Sequence, residues 1–166
     1  DVLFVGTGAT ERQHWLEALQ DLPGVNKRIH GNNWGGLKTP GWDIQPAVTG
    51  EAYCEEIHSA GIVLGLLRKA NGDLSTDRSY EIGAIGGCGL YQDSSEHRTL
   101  LPQYPDEGFF STPAQLRERV KHLLENPELR QRLRELGSQA LRRPEHTYAA
   151  RLQTMLKWSE ERGIRQ

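Results

Sequence analysis

Short apolar runs alternate with polar, helix-like stretches along the first part of the chain. Residues 2–5 (V-L-F-V) and 62–67 (I-V-L-G-L-L) are almost wholly apolar, a pattern typical of parallel strands that are buried on both faces. Residues 25–30 give a weaker strand pattern, and residues 88–91 give another short one. We therefore predict four strands, each followed by a turn or a polar segment.

The spacing of apolar residues predicts helices between these strands. A first helix is predicted after Thr10, which is a plausible N-cap, and Pro23-Gly24 stops it. Its apolar face consists of Trp15, Leu16, Leu19 and Leu22. Residues 51–59 are predicted to be helical, whereas residues 31–49 and 68–77 are predicted to be loops.

Three further helices are predicted at the C-terminal end. Thr112-Pro113 and Asn126-Pro127 each give an N-cap followed by a proline at the first helical position. Pro144 ends the second of these helices, and residues 146–162 form the third. Its apolar stripe consists of Tyr148, Leu152, Met155 and Leu156.

Strands alternating with helices predict an α/β fold, a Rossmann-like doubly wound parallel sheet with C-terminal helices. A length of 166 residues suits a single domain over residues 1–166. Ligands bind beyond the carboxyl ends of the strands in such sheets. The turn at residues 6–10 and the segment 68–81 are therefore expected at the same edge.

Composition narrows the class of partner. The net charge of −2 gives no overall basic character, so nucleic acid is not an expected partner. From Pro113 onward, twelve Lys and Arg stand against seven Asp and Glu. This excess fits the solvated faces of helices, or a weak attraction to an acidic partner or a membrane surface.

Cysteine content and hydropathy bear on location. Cys54 and Cys88 do not make a disulfide framework, so we expect reduced thiols in a cytoplasmic protein, with Cys88 buried. No apolar run is long enough for an integral membrane segment. The sequence begins at Asp1, directly on a strand pattern, and we expect a further N-terminal part.

The strongest chemical signal is T-D-R-S-Y-E-I-G-A-I-G-G-C-G-L at residues 76–90. It predicts a loop, a helix N-terminus with one carboxylate at Glu81, and then a buried strand. Unpaired N–H groups and the helix dipole favour an anion, while a carboxylate can accept from a pair of hydroxyls. A nucleotide sugar offers both groups. In the alternative interpretation, Glu81 only complements the dipole, and Arg78 pairs with Glu81 or Asp77 at the surface.

Gly6 and Gly8 follow the first strand, as in a dinucleotide-binding turn. The third glycine of that fingerprint is replaced by Glu11, and Arg28 to His30 stand where its acidic residue is expected. An NAD-binding domain is therefore a weak alternative. The turn either lets a phosphate approach or is purely structural.

Trp34 and the histidines complete the candidate residues. Trp34, in H-G-N-N-W, either stacks on a base or sugar or plugs the edge of the domain. No metal site is predicted, because four histidines lack ligand spacing and are expected at the surface: His14, His58, His97 and His122.

In order, these motifs resemble the C-terminal half of a GT-B glycosyltransferase, in particular the CgeB-like branch of the group 1 enzymes. The resemblance is carried by V-L-F-V-G, H-G-N-N-W, G-I-V-L-G-L-L, the block at residues 76–90, E-G-F-F-S-T-P-A-Q-L, N-P-E-L-R-Q-R-L and H-T-Y-A-A-R-L. It covers nearly the whole chain. Its most specific parts are R-S-Y-E-I-G-A-I-G and H-T-Y-A-A-R.

The resemblance implies a donor-binding domain for a UDP-, GDP- or ADP-sugar in a hexosyltransferase. Glu81 would hold the ribose hydroxyls, while Thr76, Arg78, Ser79 and the turn with Gly6, Gly8 and Thr10 would face the diphosphate. Trp34 would contact the base or sugar. No cofactor or bound metal is implied, because the helix dipole and basic side chains stabilise the leaving diphosphate.

The resemblance also implies an N-terminal acceptor domain of the same protein, and hence an isolated domain that is inactive alone. Asp73 stands where many group 1 enzymes have a sugar-contacting glutamate, and its shorter side chain departs from that pattern. The catalytic base is expected in the other half. A non-catalytic, glycosyltransferase-like scaffold is the main alternative.

Overall fold

The computed structural model describes residues 1–163, apart from the side chain of Lys69. The last three residues of the predicted domain lie outside that part. Six parallel strands form one sheet in the order β3-β2-β1-β4-β5-β6. The strands are β1 (Val2–Val5), β2 (Lys27–His30), β3 (Asp43–Gln45), β4 (Ile62–Gly65), β5 (Gly89–Gln92) and β6 (Phe109–Phe110). The sheet confirms the predicted α/β class.

Seven α-helices connect and extend these strands in the described residues. They are α1 (Thr10–Glu17), α2 (Gly50–Ser59), α3 (Asp77–Ile85), α4 (Ser95–Leu100), α5 (Pro113–Glu125), α6 (Pro127–Leu141) and α7 (Tyr148–Glu161). Helix α1 packs against α5, whereas α3 packs against both α2 and α6. Because right-handed crossovers in opposite directions place helices on opposite faces, the two groups cover the two faces of the sheet.

The core lies between these layers. All four residues of β1, β4 and β5 are buried, as their apolar runs predict. The predicted face of the first helix is also buried, including Leu16 and Leu19. Apolar area removed from water on both faces of the sheet supplies the main stabilisation of such a fold.

Three short elements lie where no regular structure was predicted. Strand β3 has only three residues at the edge of the sheet, and its Ile44 is 43% exposed. Strand β6 has two residues, and α4 has six residues without an apolar stripe. Each is too short for its periodicity to stand out from the surrounding loop.

One predicted N-cap is wrong, and a second has the predicted position without a capping hydrogen bond from its side chain. Ala9 rather than Thr10 precedes the first turn of α1, and Thr10 is its exposed first residue. At α6, Asn126 has the N-cap position, but its side chain donates to the carbonyl of His122 at 2.7 Å. Thr112 does cap α5, accepting from the N–H of Gln115 at 3.1 Å.

Helix α7 keeps its apolar stripe in solvent. Tyr148, Leu152, Met155 and Leu156 are all exposed, as is Trp158. No helix within residues 1–163 is long and apolar enough to cross a membrane.

Candidate functional site

The N-terminus of α3 meets the carboxyl end of β1 at one edge of the sheet. Arg78, the second residue of α3, donates from Nε to the carbonyl of Val5 at 3.4 Å. Val5 is the last residue of β1 and precedes the glycine turn. The structure therefore brings together two segments that lie about seventy residues apart, at the edge where parallel sheets bind ligands.

Glu81 is held beside Arg78 by two side chains. The hydroxyl of Tyr53 in α2 donates to Oε2 of Glu81 at 2.8 Å, and Nη1 of Arg78 pairs with the same oxygen. The Arg78 guanidinium also lies over the Tyr53 ring, 4.6 Å from its centroid. Burial raises the pKa of the Tyr53 hydroxyl, so this group stays a proton donor to the carboxylate.

The position of Glu81 in its helix bears on the dipole interpretation. Glu81 is the fifth residue of α3, and Asp77 is the acidic residue of the first turn. Because the dipole acts mainly within the first turn, Asp77 is better placed to complement it. The side chain of Glu81 remains 34% exposed, so its carboxylate is accessible at the edge.

Thr76 and Ser79 form a hydrogen bond that stabilises the start of α3. The N–H of Thr76, the N-cap, donates to Oγ of Ser79 at 2.8 Å. Ser79 is buried, and its Oγ also contacts Nε2 of His97 at 2.7 Å. The Ser79 side chain therefore fixes the helix terminus from the protein interior and does not face solvent.

The prediction that His97 lies at the surface is wrong. Its side chain is 0% exposed, with Nδ1 2.6 Å from the carbonyl of Gln92 and the ring against Tyr91. Nδ1 donates to that carbonyl, so Nε2 accepts from the hydroxyl of Ser79. Burial lowers the pKa of His97, in keeping with a neutral ring. The other three histidines are exposed, as predicted: His14, His58 and His122.

Two arginines absent from the sequence prediction join Arg78 at this edge. Arg12 of α1 donates from Nη1 to the carbonyl of Thr7 at 2.7 Å, while its Nε is buried without a partner among the described residues. Partial burial lowers the pKa of Arg12, and the charges of Arg68 and Arg78 lower it further. Arg12 is thus exposed to the positive charge of two further guanidinium groups, and a bound anion would relieve that repulsion.

The glycines of the first turn pack against a second loop. The N–H of Gly6 donates to the carbonyl of His30 at 2.9 Å, and that of Gly8 donates to Asn32 at 2.8 Å. A Cβ on Gly8 would lie 2.3 Å from the carbonyl oxygen of Asn33. A Cβ on Gly6 would instead lie 2.8 Å from the Phe4 ring. Close packing therefore explains both glycines, which favours the structural interpretation of the turn.

Trp34 belongs to that second loop and is only 3% exposed. Its Nε1 donates to the carbonyl of Gly6 at 3.0 Å, and its ring packs edge-on against Phe4, with 5.9 Å between centroids. This placement favours the plug over a stacking role.

Asp73 and Thr10 lie nearer the surface than Ser79 and Trp34. The N–H of Asp73 donates to the carbonyl of Arg68 at 3.4 Å, and its carboxylate acts on the pKa of Arg12. Asp73 therefore belongs to the charged cluster. Thr10 is exposed, and its side chain makes no hydrogen bond within the part of the chain described.

The two edges of the sheet each have a cavity nearby. One, of about 460 Å³, opens between α3 and the start of α7 and includes Thr76 and Glu81 in its wall. A larger one, of about 580 Å³, lies at the amino ends of β1 and β2. The first is the better candidate, because open parallel sheets bind ligands at the carboxyl edge. No group of three His, Cys, Asp or Glu among residues 1–163 could hold a metal ion.

Sequence and structure comparisons place the chain among glycosyltransferases. The profile of the glycosyl transferase-like family matches residues 12–157. No curated protein matches by sequence. The fold resembles T4 phage β-glucosyltransferase, solved as a mutant with UDP-glucose (TM-score 0.67, 19% identity, 84% of this chain and 42% of that one). A complex with UDP and Mn²⁺ gives a TM-score of 0.70 at 18% identity over 96% of this chain and 47% of that one.

A third similar structure is the catalytic domain of cholesterol-α-glucosyltransferase from Helicobacter pylori. Its TM-score is 0.62 at 12% identity, over 84% of this chain and 95% of that one. At such identities the likeness concerns the fold, here that of GT-B glycosyltransferases. The chain spans less than half the length of the phage enzyme chains.

Proposed function

Since the chain belongs to the glycosyl transferase-like family, we propose that it binds a nucleotide-diphosphate sugar and takes part in transfer of the sugar to an acceptor. One observation carries the proposal: a partly exposed carboxylate, Glu81, pairs with Arg78 at the carboxyl edge of the sheet, where the charges of Arg78 and Arg68 also act on Arg12. The cluster suits a diphosphate, and the carboxylate suits a pair of ribose hydroxyls.

Arg12 and Arg78 are the proposed diphosphate ligands, with Arg68 adding positive charge. Arg12 is anchored at Thr7 and Arg78 at Val5, so both guanidinium groups are oriented before a ligand arrives. The N–H groups at the start of α3 add the positive end of a helix dipole. The turn that contains Gly6, Gly8 and Thr10 would contribute to diphosphate binding through its path. Ser79 would contribute indirectly, because it fixes the start of α3.

Glu81 is the proposed ribose ligand. Tyr53 and Arg78 both contact Oε2 of its carboxylate, and Oε1 accepts no hydrogen bond within residues 1–163. Oε1 can therefore accept from a ribose hydroxyl while the carboxylate keeps its orientation. An ordered acceptor loses less rotational freedom on binding.

Departure of the diphosphate is the step that these charges would assist. Negative charge grows on the leaving oxygen as its bond to the sugar breaks, and fixed arginines stabilise that charge. We propose that this electrostatic effect, with no bound metal, activates the donor. UDP is the first nucleotide to test, because complexes of the phage enzyme contain UDP or UDP-glucose; GDP and ADP remain alternatives.

The acceptor is proposed to bind to an N-terminal domain of the same protein, packed against α7. The exposed stripe of α7, with Leu152, Met155 and Leu156, would be covered by that domain. The excess length of the phage enzyme chains supports a second domain of similar size. We also propose that the protein is cytoplasmic and belongs to the CgeB-like branch. It would be a hexosyltransferase whose isolated domain is inactive.

Calorimetric titration with UDP, GDP and ADP tests the proposal. The wild type is expected to bind one of them, and Glu81→Ala to weaken binding by roughly 1–3 kcal/mol, because ribose hydroxyls lose their acceptor. Glu128→Ala, which removes an exposed glutamate from the first turn of α6, serves as the matched control and leaves affinity unchanged. Absence of binding by the wild type would refute the donor site, whereas equal affinities would refute only the role of Glu81.

A further inference from the structure

Two neighbouring segments of the chain are joined by a row of side-chain hydrogen bonds. The donor segment, residues 67–79, runs from just after β4 into α3 and carries Arg68 and Arg78 of the proposed donor site. The anchor segment, residues 92–97, runs from the last residue of β5 into α4. Four hydrogen bonds connect the two segments, between Leu67 and Gln92, Leu74 and Ser94, Ser75 and Glu96, and Ser79 and His97.

The donor segment is loosely packed between its two ends. Leu74 keeps 46% of its surface exposed, and a Cβ on Gly72 would have no heavy atom within 4 Å in the part of the chain described. The hydrogen bonds of Ser75 and Ser94 are exposed, so water competes for the same groups. The path of the donor segment therefore depends mainly on its ends.

Buried hydrogen bonds fix both of these ends. The N–H of Leu67 donates to Oε1 of Gln92 at 3.2 Å, and both residues are buried. At the other end, the hydroxyl of Ser79 donates to Nε2 of His97 at 2.7 Å, with both side chains again buried. Such bonds are costly to lose, because the group left behind has no water to replace its partner.

Gln92 supports both ends of the donor segment. It is the last residue of β5, which is buried and pairs with β4 on one side and β6 on the other. Its side-chain oxygen holds Leu67, and its backbone carbonyl accepts from Nδ1 of His97 at 2.6 Å. His97 in turn holds Ser79. A strand inside the sheet therefore sets the position of both ends.

We propose that Gln92 and His97 are positioning residues of the donor site. The residues that they hold directly precede Arg68 and directly follow Arg78, so each anchor fixes the backbone beside an arginine. Arginines oriented before the diphosphate arrives bind it more tightly, because less conformational freedom is lost on binding. The inference rests on the proposed function for the identity of the ligand, whereas the anchoring of the segment does not.

Leucine at either position tests the proposal. Gln92→Leu and His97→Leu replace the anchoring polar group by an apolar one and leave Leu67 or Ser79 without its partner. Calorimetry should show UDP binding weakened about fivefold or more in each folded variant. Ile82→Val is the matched control, because it removes a buried methyl group from α3 and leaves both anchors intact. It should lower stability without changing UDP affinity.

Two further measurements separate positioning from stability. His97→Gln, whose carboxamide oxygen can accept from Ser79, should bind UDP more tightly than His97→Leu. Exchange of backbone N–H hydrogens, followed without nucleotide, should accelerate at residues 68–79 in both leucine variants and not in Ile82→Val. Ser79→Ala removes the same hydrogen bond with a smaller change and replaces His97→Leu if that variant does not fold.

Either of two results overturns the positioning role: unchanged UDP affinity in the leucine variants, or unchanged hydrogen exchange at residues 68–79. Failure of the wild type to bind UDP, GDP or ADP refutes the proposed function instead. Hydrogen exchange then decides the anchoring alone. Acceleration confined to residues 68–79 would support it, and exchange equal to that of the wild type would overturn it.

Discussion

The side chains that orient Glu81 come from distant parts of the sequence. Helical spacing puts Arg78 and Glu81 on adjacent turns, but Tyr53 reaches the carboxylate from α2, 28 residues earlier. The contact with Val5 likewise spans 73 residues. Local sequence therefore predicted the carboxylate and the arginine, whereas the residues that orient them depend on tertiary packing.

His97 shows why a residue in a polar segment can be buried. Its neighbours Glu96 and Arg98 are charged and exposed, so the sequence of this segment indicates a surface position. The ring is nevertheless accommodated because Ser79 and the carbonyl of Gln92 satisfy both of its nitrogens. Sequence alone carried no signal for these partners, which lie on α3 and β5.

His97 should make stability depend on pH. Because burial lowers its pKa, the unfolded chain binds a proton first as the pH falls below about 6.5, and the folded state is then disfavoured. The contribution is complete above that pH and is lost below it. Chemical denaturation at pH 7.5 and 5.5 should give a smaller loss of unfolding free energy in His97→Gln than in the wild type.

His122→Gln provides the control for that measurement, because His122 is exposed. Its loss between the two pH values should equal that of the wild type. A His97→Gln variant with the same loss as the wild type would show that this histidine does not titrate with folding.

The two cysteines should differ sharply in reactivity. Cys88 is buried, and burial raises its pKa to about 11, whereas Cys54 is exposed on α2. A disulfide-exchange reagent should label one thiol per native chain within minutes and the second only in denaturant. Cys54→Ser should remove the fast reaction; rapid labelling that persists in this variant would contradict the burial of Cys88.

Two glycines set the distance between α3 and α6. A Cβ on Gly83 would lie 2.6 Å from Leu141 and 2.9 Å from the carbonyl oxygen of Gly137. A Cβ on Gly137 would have its nearest contact at 3.5 Å, from Gly83. The close approach of the helices therefore depends on the first glycine and tolerates a methyl group at the second.

Alanine at each glycine gives a matched pair of variants. Gly83→Ala should lower the unfolding free energy by about 1–3 kcal/mol through overpacking. Gly137→Ala should be neutral or raise it by up to about 1 kcal/mol, since alanine favours the helix. Urea denaturation of both proteins measures the difference, and equal effects would contradict the packing described.

At the level of elements, the predictions succeeded where burial is uniform. β1, β4 and β5 lie inside the sheet, so their apolar runs mark them directly. β3 and β6 lie at the two edges, where only backbone pairing with a neighbour defines the strand. Such pairing leaves little trace in the sequence: β3 is partly in solvent, and β6 is buried but has only two residues.

Across the whole molecule, the sheet brings distant charges to one edge. The sequence predicted that residues 6–10 and 68–81 would meet there, and the contact of Arg78 with Val5 confirms that they do. It did not identify Arg12 or Arg68, because an arginine on a helix or in a loop is usually a solvated surface residue. Their mutual repulsion becomes visible only when the fold places them together.

The proposed function uses two surfaces of the molecule. The carboxyl edge carries the proposed donor site, and the exposed stripe of α7 provides the proposed contact for an acceptor domain.

A crystal structure of the protein with UDP tests the donor site most directly. The account predicts phosphate oxygens within hydrogen-bonding distance, about 3 Å, of the guanidinium groups of Arg12 and Arg78, and a ribose hydroxyl at the same distance from Glu81. UDP bound at the opposite edge of the sheet, or at the carboxyl edge without contact to these three side chains, would contradict it.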